Sequence, residues 1–251
     1  MTAACDDDDD HHPNGGGNRP DPPEGLASVT GNGEVILFWD PPSGGEEANS
    51  FNVYALIEQT GDFQVIGITT STVFLDNDVQ NGVTYHYRVT AVDNDGDESD
   101  FSDETFDTPR PDAFNVLLES VQVDPAEAAF DLTTASVVDA SSPNATFRFE
   151  ELAGAFRIVP TNGAEVLDVG FVDALGIGCI DICLNFAPES GYFPEPVQAF
   201  VGDAYVFRIP RGSDRFFAAI RVAHLAPGVL VFDWAFQPDE GNRELLRKPL
   251  D

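Results

Sequence analysis

The chain has 251 residues, enough for two domains with separate hydrophobic cores. Its 44 acidic and 12 basic side chains give a net charge of -32, a field that repels phosphate backbones and anionic bilayers and so excludes nucleic-acid binding. No apolar run approaches the roughly 20 residues of a membrane-spanning helix, so contact with a membrane is expected only through a lipid anchor.

The leader, residues 1–19, opens Met-Thr-Ala-Ala-Cys and continues with Asp6 to Asp10, His11, His12 and a Gly/Pro/Asn-rich stretch to Arg19. Small residues before a Cys that is followed by a charged tether resemble the lipobox of bacterial lipoproteins. The resemblance implies lipidation at Cys5 and a place in the cell envelope, on the outer-membrane surface or facing the periplasm. The aspartates read as a solvated, self-repelling linker, and the adjacent histidines read as incidental, with no metal site expected.

Charge and aromatic content divide the remainder. Residues 20–109 hold 18 acids and one Arg, whereas residues 110–251 hold 21 acids, 10 bases and 14 of the 20 phenylalanines. The first segment is much the more acidic, and the second has the larger supply of core material.

Three prolines between Pro20 and Glu24 stiffen the entry to the first segment. Strands then follow at short spacing. Gly33 to Trp39 alternates, with Val35, Leu37 and Trp39 on one face, and Asp40-Pro41-Pro42 ends it. Ser50 to Ile57, Phe63 to Ile68 and Thr72 to Asp76 follow. Val83 to Val92 places Tyr85, Tyr87, Val89 and Ala91 inwards and His86, Arg88 and Thr90 towards water, and Ser99 to Thr108 closes the series. The acidic loop Asp93 to Asp100 has its glycine at the fourth position, out of register for an EF-hand, so a tight turn is expected.

The Trp ending the second strand, the run Asn81-Gly82-Val83-Thr84-Tyr85-His86-Tyr87-Arg88-Val89 and the Gly96-Asp97-Glu98-Ser99 turn together resemble fibronectin type III modules over residues 20–109. The resemblance implies a β-sandwich with Trp39 in its core and Tyr85 at a tyrosine corner, its hydroxyl bonded to the backbone of the preceding connection. Both roles are structural.

Residues 112–251 show short β runs between turn clusters: Ala128 to Leu132, Thr146 to Glu150, Ala155 to Val159, Glu165 to Phe171, Gln198 to Val201, Ala204 to Ile209, Phe216 to Ala223 and Val229 to Phe236. No long amphipathic helix interrupts them, so the fold class expected for the whole chain is all-β, with a second antiparallel β-rich domain after the first sandwich. Gly202-Asp203-Ala204-Tyr205-Val206, Phe217 to Val222 and Val231 to Gln237 resemble the last strands of HmuY-type haem-binding lipoproteins, which implies scavenging of haem or another small ligand. His224 is this segment's one histidine and it has no methionine, so the paired haem ligands of that family are missing and no cofactor is expected.

Cys179 and Cys183 lie four residues apart behind Gly176 and Gly178. On a straight strand that spacing spans about 13 Å, so a disulfide needs a turn there. A local bridge is the expectation, with two buried thiols as the alternative. No nucleophile elbow, zinc-protease motif or phosphate loop is present, and with 44 acids paired carboxylates arise by chance. The expectation is a protein without catalytic residues, in which a fibronectin-type spacer presents a β-rich binding or adhesion domain to a protein, glycan or small molecule. Scavenging and glycan-binding accessory roles are the alternatives.

Overall fold

The computed structural model describes residues 19–57, 61–173 and 187–245. Among these residues the first sandwich has seven strands: β1 (Glu24–Thr30), β2 (Val35–Asp40), β3 (Ser50–Ile57), β4 (Gln64–Thr69), β5 (Val73–Asp76), β6 (Tyr85–Val92) and β7 (Thr105–Asp107). One sheet has the order β1-β2-β5 and the other β4-β3-β6-β7, with every pairing antiparallel. This order of three strands against four is that of a fibronectin type III sandwich. The alternation seen in the sequence becomes the core: Val35, Leu37 and Trp39 of β2 pack against Phe51 and Val53 of β3 and Tyr87 and Val89 of β6. Trp39 is 4% exposed and meets the Phe51 ring edge-on at 5.4 Å.

Among the described residues the second sandwich has ten strands: β8 (Asp112–Glu119), β9 (Ala129–Asp131), β10 (Ser136–Val138), β11 (Phe147–Leu152), β12 (Ala155–Pro160), β13 (Glu165–Phe171), β14 (Val197–Gln198), β15 (Asp203–Arg211), β16 (Asp214–Ala226) and β17 (Val229–Gln237). Two antiparallel five-stranded sheets, β10-β9-β11-β12-β14 and β13-β15-β16-β17-β8, face one another. Phe130, Phe147, Phe149, Phe207, Phe232 and Trp234 fill the space between them. The rings of Phe147 and Phe207 stack at 5.2 Å, and Phe232 stands edge-on to both Phe130 and Phe147. Phe236 joins them, with Phe156 and Phe216 packed against the cluster, whereas Phe114, Phe171, Phe193 and Phe200 are exposed.

Both sandwiches close with the same device. The Tyr85 hydroxyl accepts the Gln80 N–H at 3.0 Å, and the Tyr205 hydroxyl accepts the Phe200 N–H at 3.0 Å and donates to the Gln198 carbonyl at 2.9 Å. A glycine precedes each tyrosine by three residues, Gly82 at φ 82° and Gly202 at φ 90°. That left-handed backbone, which side chains resist, folds the chain back under the ring.

Between the sandwiches the chain is buried. Arg110 is fully enclosed, its backbone N–H donates to Gly31, and its Nη1 lies 3.2 Å from the Asp112 carboxylate. Thr108 receives Nε2 of Gln237 on its carbonyl and Nδ2 of Asn242 on its hydroxyl, so the last turn of the second sandwich is bonded to the exit of the first. Burial draws the Arg110 guanidinium down from its usual range, against the pull of Asp112, Asp107 and Glu244. Burial also pushes the Asp107 carboxyl up to about 6, although Arg110 opposes the shift.

Candidate functional site

Two polar constellations stand out, and they differ in how far their bonding capacity is used. The first lies on the outer face of β4-β3-β6-β7. Glu98 accepts from Asn52 Nδ2, the Tyr54 hydroxyl and the Thr90 hydroxyl. Burial alone would raise its carboxyl, yet these donors hold it below the usual carboxylate range. Glu104 bonds His86 Nδ1 at 2.9 Å and takes Nε and Nη2 of Arg88 on one oxygen. The Arg88 guanidinium lies 4.6 Å from the centre of the Phe63 ring and 5.6 Å from that of Phe101.

His86 and Thr90, which strand alternation turns towards water, do lie on this outer face, but they are buried there, with Phe106 beside His86 and Glu98 on Thr90. The neighbouring Asp93 loop is a closed turn, in which Asp93 Oδ1 accepts the N–H groups of Asp95 and Asp97. The charges of this surface are thus largely answered within the protein.

The second constellation is a cleft of about 370 Å³ at one end of the second sandwich, walled by the turns after β9, before β11, after β12 and at the end of β15. Its floor is apolar, with Ala145, Ala164 and Ile209. Asp131 is buried in the wall with both oxygens occupied: Oδ1 by the N–H and hydroxyl of Thr133, Oδ2 by the hydroxyl of Thr134. Arg211 Nη2 donates to the Thr133 hydroxyl, which in turn donates to Asp131, so a hydroxyl stands between the guanidinium and the carboxylate.

The opposite wall is equally fixed. Asn162 sits at φ 52° and its Nδ2 donates to the carbonyls of Ser142 and Ala145, while the Thr161 hydroxyl donates to Ala145 as well. The Asn144 side chain is exposed at the rim. The result is a rigid concave surface offering a cation, an amide and hydroxyls over an apolar floor, the composition of a small-molecule site.

Of the residues singled out in the sequence, Trp39 and Tyr85 lie inside the first sandwich, remote in function from this cleft. His224 is exposed on β16, opposite Val231. Cys5, Cys179 and Cys183 lie outside the described residues. The cleft residues carry no sequence signature, because their turns are separated by tens of residues. The second tyrosine corner did carry one: the Gly-x-x-Tyr spacing of Gly202 and Tyr205 repeats that of Gly82 and Tyr85.

No family model matches the chain. It is 42% identical over 86 residues to an amylopullulanase of Thermoanaerobacter thermohydrosulfuricus, which is 34% of this chain and 6% of that protein. A second amylopullulanase, from Thermoanaerobacterium saccharolyticum, is 35% identical over 91 residues, or 36% of this chain and 7% of the relative. The chain therefore spans under a tenth of the length of these relatives, over a stretch about the size of the first sandwich. Among solved structures, a fibronectin type III-like protein from Clostridium thermocellum is 33% identical, with 37% of this chain and 96% of that one covered, at a TM-score of 0.32. A fibronectin type III domain of a human protein is 21% identical, with 39% and 93% covered, at 0.35.

Proposed function

We propose that this chain is a non-catalytic accessory protein of the cell envelope, in which the fibronectin-type sandwich is a spacer and the second sandwich a carbohydrate-binding module. The observation that carries the reading is the likeness to amylopullulanases, confined to a stretch the size of one sandwich and to under a tenth of each relative. A module that small within a large glycan-degrading protein is an appendage. Its recurrence here beside a sandwich with a polar cleft supports the same kind of work. The buried joint at Arg110 suits a spacer, because a bonded connection transmits orientation where a loose linker would not.

The proposed anchor is a lipid on Cys5, with the acidic leader as the tether. Affinity electrophoresis of the full chain through gels cast with neutral and acidic polysaccharides tests the binding role. Retardation in at least one gel supports it, and unchanged mobility in all of them removes it. Metabolic labelling with a fatty-acid probe tests the anchor: the wild type should carry label and Cys5→Ser should not.

A further inference from the structure

We propose that the cleft between Asn144, Asn162 and Arg211 selects carbohydrates that carry a carboxylate, with Arg211 as the specificity-determining residue; this rests on the carbohydrate-binding reading above and narrows its ligand class. In a protein of net charge -32 most arginines are met by acids, and seven of those described here form ion pairs with a carboxylate. Arg211 is exposed at the cleft and forms none. Asp131 has both oxygens occupied by Thr133 and Thr134, and the Thr133 hydroxyl stands between it and Arg211; Asp214, opposite Arg211 in the β15–β16 register, accepts the Ser213 hydroxyl and forms no ion pair with it.

The guanidinium is therefore positioned by a hydroxyl and left with free N–H groups, while the adjacent carboxylate is committed elsewhere. A planar fork of donors held in this way matches an incoming carboxylate, which accepts two parallel N–H bonds. The other groups fit the rest of a sugar. Asn144 offers both a donor and an acceptor, and Asn162, its Nδ2 already committed to Ser142 and Ala145, keeps its Oδ1 for a sugar hydroxyl. Ala145, Ala164 and Ile209 make an apolar floor for the C–H face of a ring. At about 370 Å³ the cleft lies at the small end of ligand sites, which run from roughly 300 to 1,000 Å³. Acids more than about 8 Å from the cleft are screened at physiological ionic strength, and the nearby Asp131 carboxylate is turned to the donors of Thr133 and Thr134.

The test measures binding of trigalacturonate, triguluronate and triglucuronate to the full chain by calorimetry, each beside its carboxyl-reduced neutral trisaccharide. At least one acidic trisaccharide should bind 10-fold or more tightly than its reduced form. Arg211→Gln should abolish that preference, and Arg215→Gln, at an exposed arginine on the same hairpin but outside the cleft, should keep it. Equal binding of the acidic and reduced sugars, a preference that survives Arg211→Gln, or failure of all three acidic sugars overturns the inference. The gels distinguish the two levels of failure: retardation by neutral polymers alone removes the acidic specificity and leaves the carbohydrate-binding role, whereas no retardation at all removes both. Arg211 is exposed, and an unchanged near-ultraviolet circular dichroism spectrum establishes that the variant is folded.

Discussion

On the first sandwich Glu98 and Glu104 gather donors from Asn52, Tyr54, Thr90, His86 and Arg88, so a conspicuous cluster of polar and aromatic side chains is bonded within itself. On the second sandwich Asp131 is capped by two threonines while Arg211 and Asn144 keep bonding capacity at a concave surface. The contrast separates two uses of polar chemistry. Where each group answers another the cluster is a fastening that covers a sheet, and where groups are fixed in place yet unanswered the surface is prepared for something else.

The sharpest way to break the symmetry between the sandwiches is through their cores. Trp39→Ala should destabilise the first sandwich by about 3 to 5 kcal/mol, since it empties a site packed edge-on against Phe51. Denaturation followed by hydrogen exchange should show early loss of protection in β2, β3 and β6 while the amides of β15 to β17 remain protected. Simultaneous loss in both sandwiches would mean that the joint makes them one cooperative unit.

The joint itself comes next. Arg110→Ala removes a fully buried cation and leaves Asp107 and Asp112 without it, a change that should cost about 3 kcal/mol. Small-angle scattering should then report a broader distribution of interdomain distances, and an unchanged profile would show that the bonds of Gln237 and Asn242 to Thr108 suffice.

The two tyrosine corners should differ by a smaller amount. Tyr85→Phe strands one backbone N–H and should cost about 1 kcal/mol, whereas Tyr205→Phe strands an N–H and a carbonyl and should cost about 2 kcal/mol. Chemical denaturation of the two variants checks the order.

The smallest effect is a pH dependence at the joint. The folded-state pKa of Asp107 is raised from 3.8 to about 6 by burial. Within that window the folded protein holds a proton that the unfolded chain has released, so this group's contribution to stability falls as pH rises through the window and is level above it. Asp107→Asn should therefore remove a stability loss between pH 4 and pH 6, measured as the difference between variant and wild-type denaturation midpoints. Glu98 and Glu104, held below the usual range, work in the opposite direction and are common to both proteins.

The all-β class and most of the strands were legible from the order of residues, because alternation is local. Val35, Leu37 and Trp39, or Tyr85, Tyr87, Val89 and Ala91, face one core wherever the sheet lies. That legibility failed where the pattern breaks. β8 reads Asp112 to Glu119 with three consecutive apolar residues and a positive φ at Asn115, so no alternation announces it. Gln198 to Val201 reads as a strand but only Val197–Gln198 pairs, since Gly202 must turn the chain for the corner at Tyr205. The burial of His86 and Thr90 and the enclosure of Arg110 came from neighbours distant in the chain, which no local pattern reports. The tertiary structure alone brought the turns at Asp131, Asn144, Asn162 and Arg211 to one cleft, for the physical reason that a turn's side chains acquire common geometry only after the strands beneath them have set their register.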